Sequence, residues 1–264
     1  MTMAEPLEAA TRTPATPGRL YLVPMPLGDL SPAHCLPVAT LEVIARLERF
    51  IVENARTARR FLSQVPLAAP IQAMDMSELN EHSRPEALPP LLQPILAGED
   101  VGLVSEAGCP VVADPGASLV ALAHAAGIRV VPLVGPSAPL LALMASGFSG
   151  QSFRFSGYLP QQPAERRDAI LRLESESRRG PCTQVFIETP YRNSRLLEAL
   201  LDACDPATIV AVVLEVTLPG EEVIVRNVHE WRRQPRPALD RRPAVFLLSS
   251  PPVSAAARPR RRPS

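Results

Sequence analysis

Short apolar, β-branched runs alternate along this chain with longer stretches of helical period, which predicts βαβ units around a parallel or mixed sheet. Arg19 to Pro24 (RLYLVP) reads as the first strand. Leu36 to Arg49 follows, with Leu41, Ile44, Ala45 and Leu47 on one apolar helical face. Phe50 to Val52 predicts a second strand, and Thr57 to Gln64 a helix with Phe61 and Leu62 inward and Arg59 and Arg60 outward. Proline crowds residues 66–94 and limits the prediction there to a strand at 71–74 and a broken helix near 86–96. The pattern then sharpens. Asp100 to Ser105 (DVGLVS) is a buried strand, Ala117 to Ala126 a helix stopped by Gly127, and Ile128 to Val134 another strand. Gly135, Pro136 and Ser137 lead into a small-residue helix ending near Gly147.

The same alternation resumes in a second, smaller unit. Phe153 to Tyr158 and Thr183 to Glu188 (TQVFIE) are strands flanking a charged helix, Ala164 to Arg178. A helix over Tyr191 to Cys204 turns Leu196, Leu197, Leu200 and Leu201 inward. Thr208 to Val216 is the most β-branched run, pairing with Glu222 to Arg226 through the turn at Pro219-Gly220. Pro243 to Leu248 closes the sheet, and its proline points to an edge position. The expected division is a tail at 1–18, an N-terminal α/β domain at 19–147, a C-terminal α/β domain at 148–250 and an Arg/Pro tail at 251–264, both tails lacking periodicity.

Composition narrows the function classes. The 27 basic and 27 acidic residues balance, so no global field points to nucleic acid or membrane, and any RNA contact has to come from a local patch. Every basic side chain is arginine, the residue suited to bidentate phosphate contacts, although a biased codon usage gives the same result. Cys35, Cys109, Cys182 and Cys204 are widely spaced and form no zinc pattern, so no metal site is expected. No stretch reaches the roughly 18 apolar residues of a membrane helix. With no apolar leader and unpaired cysteines, the expectation is a cytoplasmic protein without membrane contact.

In an open α/β sheet a ligand lies beyond the carboxyl ends of the strands. Four loops in that position are rich in Pro, Gly or small residues: Pro24 to Asp29, Ser105 to Gly116, Gly135 to Ala138 and Thr189 to Asn193. Neither a G-x-G-x-x-G fingerprint nor a P-loop occurs, so a dinucleotide or a P-loop nucleotide is not favoured.

Six blocks, in order LYLVPMPLGDL, VENART, LVSEAGCPVVADPG, VVPLVGPSAPLLALMASG, FSGYLP and IETPYRN, resemble the tetrapyrrole-methylase superfamily over about residues 19–225. Within it they are most similar to the branch that 2'-O-methylates a cytidine ribose in small-subunit ribosomal RNA. The resemblance implies two α/β domains with S-adenosylmethionine in the cleft between them, and a homodimer. It implies cofactor contacts at Pro24, Pro26 and Gly28, at Ser105, Ala107 and Gly108, at Gly135, Ser137 and Ala138, and from the second domain at Thr189 and Pro190. Small residues there let backbone groups approach the ligand, and Gly108, Gly116 and Gly135 can supply positive φ. The chain departs from the branch at an acidic motif, Glu-Asp-Thr-Arg, which here reads Glu53, Asn54, Ala55 and Arg56. It departs again at Glu106, Cys109 and Tyr191.

A ribose hydroxyl must lose its proton during or after attack on a methyl group, which calls for a carboxylate or histidine in reach. Glu106 is the first candidate because it lies at a strand end inside the strongest motif, and Glu53, at the end of the second strand, is the next. Glu188 is a weaker one. Arg56 and Arg192 are expected to bind substrate, and Arg56, Arg59 and Arg60 share one helical face suited to RNA phosphates. Cys109 reads as a small buried filler. Two alternatives stay open: a methyltransferase of the same fold acting on a small molecule such as a tetrapyrrole, and a non-catalytic S-adenosylmethionine-binding protein.

Overall fold

The computed structural model describes residues 16–80 and 82–251. Almost all of the expected N-terminal tail, and the Arg/Pro tail beyond its first residue, lie outside the described residues. Packing divides the chain into two compact units, one comprising residues up to Pro26 and Ser31–Gly135, the other Leu27–Leu30 and the chain from Pro136.

The first unit holds five strands, β1 (Arg19–Val23), β2 (Arg49–Val52), β3 (Asp75–Glu78), β4 (Val101–Val104) and β5 (Arg129–Pro132), in the order β3-β2-β4-β1-β5. All four pairings are parallel. Parallel strands are covered on both faces, which is why β4 reads as a continuous apolar run with all four residues buried. Alternate residues of the strands serve opposite faces. Tyr21, Val23, Phe50 and Val52 pack under α1 (Val38–Arg46) and α2 (Ala55–Leu62). Leu20, Ile51, Val101 and Leu103 pack under α3 (Leu88–Leu96) and α4 (Ala117–Ala125). The chain leaves β1 and β2 toward β3's edge but leaves β4 toward β5's edge. Loops from β4 and from its neighbours therefore diverge at the carboxyl edge, the arrangement that opens a binding crevice in such sheets.

The Pro-rich stretch departs from expectation. Residues 71–73 form a 3-10 turn and the strand falls on Asp75–Glu78, where the polar residues Asp75, Ser77 and Glu78 hide it. The expected broken helix is a short turn at Pro85–Ala87 followed by α3, whose Pro94 lies inside the helix.

The second unit holds β6 (Phe153–Tyr158), β7 (Thr183–Glu188), β8 (Ile209–Leu214), β9 (Glu222–Asn227) and β10 (Ala244–Ser249), in the order β6-β7-β10-β8-β9. Only β6 and β7 are parallel; the other three pairings are antiparallel. β10 is central rather than an edge, because Pro243 stops just short of the ladder and its carbonyl accepts from Glu215 N. One face of this sheet is covered by α6 (Pro163–Arg179), α7 (Asn193–Ala203) and α8 (Val228–Arg233), whose Trp231 is fully buried and donates to Val210 O at 2.9 Å. The other face is covered by α5 (Ala138–Ser146). α5 thus belongs with the second sheet, since Ala142 and Leu143 pack on Val185, Ala211, Val213 and Val245, and the division falls at 135/136 rather than at 147.

Candidate functional site

Three loops are joined at the carboxyl edge of the first sheet. Met25, just after β1, exchanges both backbone hydrogen bonds with Gly108 after β4, at 2.9 and 3.0 Å. Buried Ser105 donates from Oγ to Gly108 O at 2.9 Å. The loop after β5 is anchored by Thr40 of α1, whose hydroxyl donates to Val134 O at 2.8 Å. At Gly135 a Cβ would run into the Pro24 ring, so only glycine lets these two loops approach. Gly108 itself sits at φ 70°, in the left-handed region. Pro24, Pro26, Ser105, Ala107, Gly108 and Gly135 therefore share one edge of one unit. The rest lie in the second unit, where Gly28 packs on Leu218, Ser137 precedes α5, and Thr189 and Pro190 follow β7.

The loop from β4 to α4 is strained. Val111 (φ 74°) and Ala113 (φ 58°) are non-glycine residues in the left-handed region, a conformation that costs on the order of 1–3 kcal/mol each. Between them and Gly116, at φ 122°, sits Asp114. Burial pushes the Asp114 carboxyl up to about 8, helped by a hydrogen bond to Glu53 and by the charges of Glu53 and then Glu106; a backbone donor at Val111 works the other way. In the sequence Asp114 is part of an Asp-Pro-Gly turn, and nothing there marks its carboxyl as raised. Its signal was spacing from Glu53 in three dimensions, which no linear pattern carries.

Asn54 follows Glu53 and accepts from the backbone N of Arg56 and Thr57 at 2.9 and 3.2 Å, capping α2. An aspartate would make the same bonds, so the amide keeps the cap and removes a negative charge. Glu106 is exposed. Cys109 is half-buried rather than a buried filler, with Sγ 3.9 Å from Gly135 O, and burial raises its thiol. Among the described residues no group of three or more His, Cys, Asp or Glu is placed to hold a metal ion, and no helix is long and apolar enough to cross a membrane.

Arg192 does not stand free for a phosphate. Its Nε and Nη2 donate to Glu188 Oε1 at 2.9 and 2.6 Å, and Thr189 N donates to the same oxygen at 2.7 Å. The Glu188 side chain is 1% exposed, so the pair is buried, all three bonds ending on Oε1 while Oε2 is buried without a hydrogen-bond partner.

A family model described as Tetrapyrrole (Corrin/Porphyrin) Methylases matches residues 19–231. The chain belongs to the tetrapyrrole methylase family. A relative from Mesorhizobium japonicum, "Ribosomal RNA small subunit methyltransferase I", is 37% identical over 81% of this chain and 69% of its own. The protein of that name from Vibrio cholerae is 33% identical over 77% of this chain and 67% of its own. The crystal structure of the methyltransferase CobJ has the same fold, with a TM-score of 0.60 and 21% identity over 92% of this chain and 96% of that one. As a member of the tetrapyrrole methylase family the chain is an S-adenosylmethionine-dependent methyltransferase. The joined loops fit such a ligand: Pro24, Ser105, Ala107, Gly108 and Gly135 are small and uncharged, and the close backbone approach at Gly108 and Gly135 brings peptide groups to the edge.

Proposed function

We propose that this chain 2'-O-methylates a ribose in small-subunit ribosomal RNA. The observation that carries the acceptor is the shared name of its relatives at 30–37% identity; the carboxyl group of residues at the first sheet's edge supports it chemically. When bound, S-adenosylmethionine supplies a methyl group on a sulfonium sulfur, a good leaving group, so alignment provides much of the rate. Pro24, Pro26, Ser105, Ala107, Gly108 and Gly135 would hold it through backbone groups.

The proton of the attacking hydroxyl goes to a carboxylate of this chain. Glu53 and Asp114 form the pair suited to take it, Asp114 becoming able to accept a proton as pH rises toward the value of about 8 to which its carboxyl is raised. Exposed Glu106, whose charge acts on Asp114, stands beside them as the alternative acceptor. Arg56 is the substrate-binding arginine of this reading; Arg192 serves structure. A cytoplasmic location and a homodimer belong to the same proposal.

The test incubates purified protein with labelled S-adenosylmethionine and small ribosomal subunits lacking ribose methylation. Label should enter one nucleotide and protect its 3'-phosphodiester from alkaline cleavage. Cofactor binding by calorimetry without any transfer to RNA would overturn the acceptor while leaving the family intact. Gly108→Arg, which places bulk at the joined loops, should abolish cofactor binding.

A further inference from the structure

Helix α2 begins directly after Glu53 and carries Arg56, Arg59 and Arg60 in the sequence ARTARRFL, with no acidic residue. At about 100° per residue the three arginines fall within an arc of about 100°, opposite buried Ala58, Phe61 and Leu62. All three are exposed, and among the described residues none has an ion-pair partner. Of the nearby carboxylates, Glu53 lies against Asp114, and Glu78 accepts from Ala55 N at 3.4 Å.

Local stability alone disfavours this arrangement. Arg56 stands in the first turn, where the helix dipole repels a cation, and it lies three and four residues from Arg59 and Arg60, which are like-charge neighbours on the helix surface. Only Arg59 and Arg60, in the last turn, sit where the dipole favours them. Asn54 in place of an acid at the cap removes one negative charge from the first turn, where Glu78, accepting from Ala55 N, is left as the acidic neighbour. A surface built against its own local electrostatics is a mark of a binding site.

We propose that the arginine face of α2 grips the phosphodiester backbone of the RNA acceptor and so delivers a ribose to the carboxyl edge occupied by Glu53 and Asp114. The choice of RNA as the polyanion rests on the functional reading above. Arg56 and Arg60 lie about 6 Å apart along the helix axis, and their long arms reach neighbouring phosphates rather than one. Guanidinium groups suit this contact, while phosphate contacts fix register without reading sequence.

The experiment compares the full chain with R56Q/R59Q/R60Q and R56K/R59K/R60K, using a fluorescein-labelled oligoribonucleotide from small-subunit ribosomal RNA between about 50 and 200 mM salt. The glutamine triple should bind at least about tenfold more weakly at the low-salt end. Its log affinity should depend on log salt with a slope smaller by about 2, at about 0.7 per lost phosphate contact. Cofactor affinity by calorimetry should be unchanged, and the lysine triple should keep the wild-type slope. Single glutamine variants, each lowering the slope by about 0.7, serve if the triple melts early. Unchanged affinity and slope in the glutamine variants of an RNA-binding wild type would overturn the arginine face while the methyltransferase reading stands. Loss of binding in the triple, with no methyl transfer to RNA by the wild type, would overturn the acceptor reading while the face stands. A wild type that binds no RNA overturns both.

Discussion

Asp114 lies against Glu53, and burial there pushes its carboxyl up to about 8, in the strained loop between β4 and α4 facing the residue that follows β2. In the unfolded chain Asp114 titrates near 4, and in the folded chain near 8. Between those values the native state holds a proton that the unfolded chain has released. The stability from this group is therefore complete below about pH 4 and is lost as pH rises through about 8. Asp114→Asn should flatten the fall in melting temperature between about pH 5 and 8. Because the group is half-buried and screened, the effect should be about 1–2 kcal/mol, or a few degrees in Tm. The same variant should lose about 100-fold in kcat/KM, and with it the rise in rate through about pH 8 expected of the wild type.

Gly135→Ala tests the joined loops. The added Cβ meets the Pro24 ring, which cannot move without shifting the loop after β1. Cofactor affinity by calorimetry should fall at least tenfold, with circular dichroism showing the fold retained. An unchanged affinity would separate this edge from the cofactor site.

Much of the fold was legible because its strands are short apolar runs between well-marked helices. Thr183–Glu188 was placed to the residue, as was Phe153–Tyr158. The strand at Asp75–Glu78 escaped because its outer residues are polar, and α8 escaped although its Asn227-x-x-Glu230 capping box stood in the sequence. The small loop residues were legible as a candidate ligand-binding edge through resemblance. Asp114 was not, because its properties come from burial and from Glu53, which lies far away in sequence. Arg192 misled for the same reason: an arginine in a loop reads as free until its buried carboxylate partner is seen.

Asn54 supplies a prediction about why an amide can stand in the acidic motif. Asn54→Ala removes the acceptor for Arg56 N and Thr57 N and should cost about 1 kcal/mol in denaturant unfolding. Asn54→Asp should keep that stability, since a carboxylate caps equally well and complements the helix dipole. It should also weaken RNA binding modestly at low salt, because it sets a negative charge at the foot of the arginine face.

The Glu188–Arg192 pair predicts a larger and different effect. Both guanidinium bonds end on Glu188 Oε1, and the side chain that receives them is almost wholly enclosed. Arg192→Met would leave a buried carboxylate with only the Thr189 N donor, a loss of about 3–5 kcal/mol measured by denaturant unfolding. Glu188→Gln in the same chain should recover part of that loss, because a neutral amide is less costly to bury than an unpaired charge. If Arg192 instead served an RNA phosphate, Arg192→Met would leave stability nearly unchanged and reduce the salt dependence of RNA binding. The two outcomes are separated by one unfolding curve and one salt titration.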